Sequence, residues 1–201
     1  FHPVTVKTRV QIPGTANLFL YCTRLFQQLF QISLMPPTFE KNYCPYCGED
    51  LSSRKIEGKE RKFCEACDRV IWRNAEPVSA VVVEKDDKLL FVKRGIEPGK
   101  GKWSLPAGFL EYREQPVKGA VRELEEETGL KANPDDLEFL EALNMERFPG
   151  QRLLATMYKI NYQDVEGKLK AGDDAVEASF WTLEELRKDK EEELRSHFVE
   201  V

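Results

Sequence analysis

The sequence predicts an α/β protein in which a mixed domain of strands and helices, residues 76–196, follows a small cysteine-rich module, residues 40–75. Two observations predict this organisation. From about Glu76 onward, apolar and β-branched runs alternate with amphipathic segments, which is the pattern of a mixed α/β domain. The preceding module instead holds two CxxC pairs and too little apolar material for a core of its own.

The composition of the 201 residues is typical of a globular protein and argues against several other classes. A hydrophobic content of 41%, including 12 Phe, is enough for a sizeable core and argues against a disordered chain. The formal net charge of −5 provides no basic footprint for nucleic acid, which is therefore not an expected partner. The absence of a long uninterrupted apolar run also predicts no membrane-spanning helix.

Residues 1–39 form an N-terminal extension that contains no Asp or Glu. Its Lys and Arg residues are Lys7, Arg9 and Arg24. Acid-free segments that carry arginine are typical of organellar transit peptides. The first methionine is Met35, so a second interpretation is that the protein starts there and residues 1–34 are upstream or added sequence. A structural extension of the domain is the third interpretation.

The cysteine-rich module carries two cysteine pairs with the spacing of metal ligands. Cys44 and Cys47 form the first pair, and Cys64 and Cys67 form the second after sixteen intervening residues. Four thiolates close a tetrahedron around zinc and leave no open position, so we predict a zinc ribbon with a structural Zn²⁺. The metal would supply the folding free energy that the module lacks, although disulfides or a redox CxxC are alternatives. Unoxidised cysteine pairs favour a reducing compartment, and we expect a cytoplasmic protein unless residues 1–34 target an organelle.

Two β-hairpins are predicted in the mixed domain. The first joins the runs "VSAVVVE" and "LLFVKR" through "KDDK". The second joins "LEFLEALNMERF" and "RLLATMYKINYQ", with a turn at Pro149 and Gly150. Further along the chain, Thr182 and Glu185 have the spacing of a capping box, which predicts the start of a helix.

Another amphipathic helix is predicted to begin at Pro116 and to end just before Gly129. Proline is well tolerated at the first helical position, and glycine suits the residue that follows the last turn. An apolar stripe with the helical spacing i, i+3, i+4 and i+7 would face the core. The stripe consists of Val117, Ala120, Val121 and Leu124.

The last turns of this helix concentrate four glutamates within five residues. They are Glu123, Glu125, Glu126 and Glu127. At 100° per residue, Glu125 lies on one flank of the apolar stripe and the other three lie on the opposite flank. Like charges four residues apart destabilise a helix, and carboxylates at its C-terminus oppose the helix dipole. A local rule broken in this way is typical of a functional site, and clustered oxygen ligands on a rigid face suit Mg²⁺.

Residues 108–130 resemble the Nudix box. The box consists of Gly, five residues, Glu, seven residues, Arg-Glu, an aliphatic residue, any residue, Glu-Glu, any residue, Gly and an aliphatic residue. The matching positions here are Gly108, Glu114, Arg122, Glu123, Leu124, Glu126, Glu127, Gly129 and Leu130. The resemblance implies a Nudix fold, a mixed β-sheet sandwiched between α-helices. It also implies hydrolysis, dependent on Mg²⁺ or Mn²⁺, of a nucleoside diphosphate linked to another group.

The resemblance also implies roles for individual residues of the box. The implied metal ligands are Glu123, Glu126, Glu127 and the carbonyl of Ala107. Arg122 would orient one of these carboxylates through a charge-assisted hydrogen bond, and Glu114 would be an accessory acid. Glu126 or Glu127 could also act as the general base, and the sequence leaves this choice open.

Further candidate residues lie outside the box. A general base on a later loop, as in some relatives, could be Asp173, Asp174 or Glu177, with a simple polar turn as the alternative. Arg94 and Lys93, at the end of a predicted strand, are candidate contacts to a substrate phosphate, with an exposed strand end as the alternative. The candidate aromatic platforms for an adenine are Trp103, Phe148 and Tyr158, each of which could instead belong to the core.

The combination of ribbon and box narrows the resemblance. "CPYCG…CEAC" followed by "KRGIEPGKGKWSLPAGFLE" is similar to a group of zinc-ribbon ADP-ribose/FAD pyrophosphatases. This similarity implies ADP-ribose or FAD as the substrate, a nucleoside monophosphate as a product, and a homodimer. NADH or NAD pyrophosphatases and other hydrolases of such diphosphates are alternatives, although the region after the box lacks the SQPWPFP-like signature of the NADH enzymes. A non-catalytic nucleotide-sensing module is an alternative of another class, and the complete box argues against it.

Overall fold

A seven-stranded mixed β-sheet forms the centre of the mixed domain. The computed structural model describes residues 40–97, 99–148, 150–182 and 184–186. The predictions for the N-terminal extension, for Pro149 and for the side chain of Phe148 lie outside the described part. The strands are β1 (Ser52–Ile56), β2 (Lys59–Cys64), β3 (Arg69–Ile71), β4 (Glu76–Lys85), β5 (Lys88–Arg94), β6 (Trp103–Ser104), β7 (Ala107–Phe109), β8 (Leu130–Lys131), β9 (Glu138–Phe148), β10 (Gln151–Asn161), β11 (Glu166–Gly167) and β12 (Ala175–Trp181). The helix α1 is Pro116–Thr128, and short 3-10 segments lie at Pro134–Asp136 and Tyr162–Asp164.

The order of strands in this sheet is β12-β5-β4-β10-β9, with β6 beside β5 and β7 beside β4. Strands β4 and β10 run parallel, and the other pairs in the sheet are antiparallel. Both predicted hairpins are present, because β5 follows β4 through a tight turn and β9 pairs with β10. Strands β8 and β11 form a separate two-stranded ribbon. The prediction of a mixed sheet is confirmed.

The sheet buries one apolar cluster on each face, since side chains alternate along a strand. On β4, Val81 and Val83 join the cluster against which α1 packs Ala120 and Leu124. The cluster on the opposite face contains Leu186, from the short helical stretch 184–186. Helical residues therefore cover both faces of the sheet, as the sandwiched architecture requires. None of the described helices has the length and apolar character needed to cross a membrane.

The predicted capping box is present at the start of this second helical stretch. The backbone N–H of Thr182 donates to Glu185 Oε2 at 2.7 Å, and the N–H of Glu185 donates to Thr182 Oγ1 at 3.1 Å. Each side chain thus satisfies a backbone donor that has no partner within a helix.

The helix α1 begins and ends as predicted, but its buried face is turned. Gly129 has a φ of 68°, in the left-handed region, and its N–H donates to the carbonyl of Glu125. Val117 and Val121, which were expected to face the core, are only half-buried, whereas Glu123 and Glu127 are buried. Glu123 and Glu127 therefore lie on the side of α1 that faces the sheet, where the apolar stripe alone was expected.

The cysteine-rich module folds as a three-stranded antiparallel sheet, β1-β2-β3. Its buried cluster contains Cys44, Cys64 and Ile71, and Phe63 is also buried. So small a core agrees with the scarcity of apolar residues in the sequence. The guanidinium of Arg73, just after β3, donates to the carbonyl of Gly150 in the turn between β9 and β10. This contact joins the module to the mixed domain.

Candidate active site

Ser79 anchors the start of α1 to the sheet. Its buried Oγ donates to the carbonyl of Pro116 at 2.8 Å and lies 2.7 Å from Thr156 Oγ1. Strand β7 pairs with the same part of β4, with Gly108 opposite Ser79. These contacts place the last turns of α1 next to β7.

Gly108 allows the carboxylate of Glu123 to lie against β7. A side chain at position 108 would collide with that carboxylate, since an added Cβ would overlap its atoms. The neighbouring N–H of Ala107 donates to Glu127 Oε2 at 3.0 Å. The structure therefore brings Ala107, Glu123 and Glu127 together.

Arg122 connects three glutamates of the box rather than orienting one. Its Nε and Nη2 each donate to Glu114 at 2.9 Å, and its Nη1 donates to Glu123 Oε1 at 2.6 Å and to Glu126 Oε2 at 2.8 Å. A further hydrogen bond, 2.9 Å long, reaches the carbonyl of Phe109. The hydrogen bonds from Arg122 hold the pKa of Glu114 below its usual value. Glu114 is thus positioned to hold Arg122 in place.

The C-terminal end of α1 is capped by the segment that precedes β12. The N–H of Lys170 donates to the carbonyl of Thr128 at 2.9 Å, and the N–H of Gly172 donates to the carbonyl of Glu127 at 3.1 Å. The last carbonyls of a helix have no N–H donor within the helix, so the backbone of this segment supplies the missing hydrogen bonds. Because it docks here, the segment brings the two aspartates after Gly172 next to the box.

A cleft of about 170 Å³ opens where these elements meet. The carboxylates that line it are Glu123, Glu127, Asp173 and Asp174. The basic side chains that line it are Arg94, Lys102 and Arg147. An ion pair joins a member of each group, since Asp174 Oδ2 lies 2.6 Å from Arg94 Nη1.

The carboxylates of Glu123 and Glu127 are crowded and poorly solvated. Burial raises the pKa of Glu127 to about 9, and the nearby Glu123 and Asp174 contribute to the increase. Burial also raises the pKa of Glu123. A divalent cation would relieve both effects, because it replaces the lost hydration of the carboxylates and neutralises their mutual repulsion. The oxygen donors present in the cleft therefore fit Mg²⁺ or Mn²⁺.

Comparison with known families supports the interpretation of this site. The family profile described as "NUDIX domain" matches residues 74–200, well over half of the chain. The chain belongs to the Nudix family. The match begins at residue 74, so the zinc ribbon that precedes it stays a prediction.

Solved structures show the Nudix fold independently. A Nudix hydrolase from Nitrosomonas europaea aligns with 72% of this chain and 80% of its own, at a TM-score of 0.54 and 28% sequence identity. A bifunctional NMN adenylyltransferase/ADP ribose pyrophosphatase from Francisella tularensis, complexed with AMP and a Mn ion, has the same fold at a TM-score of 0.52 and 24% identity. It aligns with 63% of this chain and 40% of its own.

Curated relatives match parts of the Nudix domain. An ADP-ribose pyrophosphatase of Methanocaldococcus jannaschii is 38% identical over 107 residues, which are 53% of this chain and 62% of the relative. Phosphatase NudJ of Escherichia coli is 49% identical over 55 residues, which are 27% of this chain and 35% of the relative. The chain thus spans less than two thirds of the length of these relatives.

The structure separates the four glutamates at the end of the Nudix helix. Glu123 and Glu127 line the cleft, whereas Glu126 is not among its described lining residues. The half-exposed side chain of Glu126 shares Arg122 with Glu123. Glu125 points away from the cleft, and its Oε1 lies 3.0 Å from the ammonium of Lys131. The position of Glu125 agrees with the flanks that the sequence predicts, whereas Glu126 was expected beside Glu123 and Glu127 and is more exposed than either.

Of the residues predicted outside the Nudix box, some line the cleft and others do not. Asp173, Asp174 and Arg94 line the cleft. Lys93 does not, and its ammonium lies 5.6 Å from the centre of the Trp103 ring. Glu177 is exposed on β12 and is likewise absent from the described lining.

Two of the candidate aromatic platforms can be placed. Trp103 lines the cleft but is fully buried, and it packs edge-on against Trp181 with ring centres 5.7 Å apart. Tyr158 packs against Phe139 and belongs to the cluster on the α1 side of the sheet, outside the described lining. Neither ring therefore offers an open face in the cleft, whereas Phe109, which sequence reasoning did not single out, is 45% exposed at its edge.

Sequence reasoning also missed Arg147 and Lys102. A signal for Arg147 exists in the sequence, because it continues the alternation of Leu143 and Met145, whose side chains are buried. The register between β9 and β10 shifts at Arg147, and its side chain lines the cleft. A basic residue that takes an inward position at the end of a strand is a candidate for a site. Lys102 follows a glycine-rich loop, which by itself carries little information.

The four cysteines of the ribbon meet as predicted. Their sulfur atoms all lie within 4.8 Å of one another, with Cys47 and Cys64 at 3.5 Å and Cys44 and Cys67 at 3.9 Å. Tetrahedral zinc, with bonds of about 2.3 Å to sulfur, requires sulfur atoms about 3.8 Å apart. The cluster therefore fits a structural Zn²⁺.

Proposed function

We propose that the protein is a Mg²⁺- or Mn²⁺-dependent Nudix pyrophosphohydrolase. It cleaves the diphosphate bridge of a nucleoside diphosphate linked to another group, with ADP-ribose or FAD as the substrate and a nucleoside monophosphate as a product. The observation that carries this proposal is the pair of buried carboxylates, Glu123 and Glu127, in a cleft that also holds basic side chains. The similarity to an ADP-ribose pyrophosphatase supports the choice of substrate.

The residues of the cleft divide the work between metal binding and positioning. Glu123 and Glu127 would hold the metal, with Glu126 and the carbonyl of Ala107 as further ligands. When bound, the metal neutralises phosphate oxygens and lowers the pKa of a coordinated water. Arg122 keeps Glu123 and Glu126 in place through short charge-assisted hydrogen bonds.

The proton of the attacking water has several acceptors in the cleft. Besides the glutamates, Asp173 lines the cleft, and it directly follows Gly172, whose N–H caps α1. Asp174 is committed to Arg94, so Asp173 is the better candidate of the two aspartates. Such a mechanism relies on positioning and electrostatics, since phosphoryl transfer needs little covalent chemistry from the protein.

The proposal extends to the rest of the molecule. The four-cysteine cluster would bind a structural Zn²⁺, and its closed coordination would leave it out of the chemistry. A homodimer and a cytoplasmic location are part of the same proposal.

A hydrolysis panel tests the proposed function. ADP-ribose, FAD, NADH, nucleotide sugars, diadenosine polyphosphates and nucleoside triphosphates would be compared by kcat/KM, with Mg²⁺ and with Mn²⁺. We expect the highest value for ADP-ribose or FAD, AMP among the products, and no turnover with EDTA. Preference for NADH would move the protein to the NADH pyrophosphatases. Absence of all turnover by folded, metal-bound protein would contradict the enzyme and favour a nucleotide sensor.

A further inference from the structure

Two arginines from separate strands meet in the Nudix cleft. Arg94 is the last residue of β5, and Arg147 lies near the end of β9, two strands that are not adjacent in the sheet. Both line the cleft together with Glu123 and Glu127. Burial lowers the pKa of Arg147, and the positive charge of Arg94 lowers it further, so the two guanidinium groups repel each other. Like charges gathered in a cleft are expected where an anion binds between them.

The backbone around Arg94 is held on both sides. Its N–H donates to the carbonyl of Lys102 at 2.8 Å, and its carbonyl accepts from the N–H of Gly101 at 2.7 Å. The next residue, Gly95, donates to the carbonyl of Asp174 at 2.7 Å, while the side chain of Asp174 pairs with the Arg94 guanidinium at 2.6 Å. Arg94 is therefore preorganised at the cleft, and its direction is set by Asp174.

Arg147 is held by the sheet and by an aromatic ring. Leu143 and Met145, which share its face of β9, are buried in the core below it. Its guanidinium carbon lies 5.7 Å from the centre of the Phe109 ring, within the range of a cation–π contact. Phe109 lies in the Nudix box and is the last residue of β7, so this contact joins β9 to β7.

We propose that Arg94 and Arg147 form a subsite for one phosphoryl group of the substrate, the one that the metal-binding glutamates do not hold. A guanidinium offers paired donors that match phosphate oxygens, and two of them would enclose the group. Arg147 is then a specificity-determining residue that favours diphosphates over monophosphates. This inference rests on the proposed function, because it assigns the second half of the same diphosphate bridge.

The substitution Arg147→Gln tests the subsite, with Arg152→Gln as the matched control. Arg152 lies on the neighbouring strand, is more than half exposed and makes only a 3.6 Å ion pair with Glu146. We expect kcat/KM for ADP-ribose to fall by about tenfold to a hundredfold in Arg147→Gln, the effect of losing a hydrogen bond to a charged group. The control should change by less than about twofold, as is usual for exposed ion pairs. Arg147→Lys keeps the charge without the paired donors and should give an intermediate value.

A binding measurement separates the subsite from turnover. Inorganic phosphate would be titrated calorimetrically into wild-type protein, Arg147→Gln and Arg152→Gln, each in the same concentration of MgCl₂. Weaker phosphate binding in Arg147→Gln alone supports the subsite, even if the wild-type protein hydrolyses nothing and the proposed function fails. Unchanged phosphate affinity and unchanged kcat/KM in a folded Arg147→Gln protein overturn the subsite and leave the hydrolase standing.

Discussion

The ribbon and the Nudix cleft both gather metal-ligating side chains, but they rest on different amounts of buried apolar surface. In the ribbon, two of the four buried residues, Cys44, Phe63, Cys64 and Ile71, are themselves cysteines. In the Nudix domain, each face of a seven-stranded sheet has its own apolar cluster, and α1 is fixed by Ala120 and Leu124 before any ligand is considered. The same kind of observation, a cluster of ligands, therefore indicates a folding role in one region and a chemical role in the other.

The two clusters also differ in what surrounds them. The cysteine sulfurs lie close to the spacing of a closed tetrahedron, which leaves no room for a substrate. The carboxylates of Glu123 and Glu127 line an open cleft beside basic side chains, where a metal could contact a phosphate. Removing the metal should consequently unfold the first region and only inactivate the second.

Zinc removal from the ribbon should give the largest effect. Structural zinc contributes apparent binding free energies of about 10–16 kcal/mol in small zinc domains, and this ribbon has little else to stabilise it. We expect Cys64→Ser to lose zinc and to expose residues 40–75 to rapid amide exchange, while the Nudix domain keeps its protection. Hydrogen exchange with mass spectrometry and metal analysis measure both effects. Cys22→Ser, which removes a cysteine outside the two pairs, is the control, and a protected ribbon in Cys64→Ser would contradict the structural role.

Glu127→Gln should give the largest effect on turnover. The amide keeps the shape of the side chain but loses the charge that binds the metal, so kcat should fall more than the roughly 10–100-fold cost of losing an outer-shell partner. The melting temperature without metal should stay equal or rise, because a poorly solvated carboxyl next to Glu123 has been replaced. Steady-state kinetics and thermal unfolding test this pair of expectations. Turnover at the wild-type level would show that Glu127 is not a metal ligand.

Arg122→Lys should give an intermediate effect. A lysine ammonium is a point charge on a flexible stem and cannot hold Glu114, Glu123 and Glu126 in the geometry that the guanidinium imposes. We expect about 10–100-fold weaker metal affinity or activity, the usual cost for a group that orients a ligand. The Mg²⁺ concentration giving half-maximal activity measures the change. An unaltered metal dependence would mean that the glutamates keep their positions without Arg122.

Glu125→Gln should give the smallest effect, although it changes the same residue type in the same turn of α1. Glu125 points away from the cleft and pairs with Lys131 on the surface. Such exposed pairs contribute about 0–1 kcal/mol, so turnover should stay within about twofold and stability within about 1 kcal/mol. A large loss of activity here would contradict the separation of the glutamates along the helix.

The sequence predicts the local parts of this site better than the parts that come together from distant strands. Pro116, Gly129 and the periodicity between them define α1, because caps and apolar spacing are local properties. The spacing of Cys44, Cys47, Cys64 and Cys67 likewise predicts their convergence, which the structure confirms. The parallel pairing of β4 with β10 has no local signature, since it depends on the packing of the whole sheet.

Side chains that are positioned by that packing were correspondingly harder to find. Arg147 comes to the cleft from β9, the last strand in the sheet order, and its guanidinium lies over the ring of Phe109. The turning of α1 that buries Glu123 depends on Gly108, whose missing side chain admits the carboxylate. The motif shows that glycine is required at this position, but only the structure shows which atoms need the space.

The hydrogen bond from Arg73 to the carbonyl of Gly150 connects the ribbon to the turn between β9 and β10. Gly150 closes the turn that follows Arg147, and its N–H is held in turn by Glu146 at 2.8 Å. A ribbon without zinc would release Arg73 and loosen this turn, while Glu123 and Glu127 would stay in place on α1. The turn after Arg147 would then keep its contact with Glu146 and lose the one with the ribbon, so the order of this turn depends in part on the fold of a separate module.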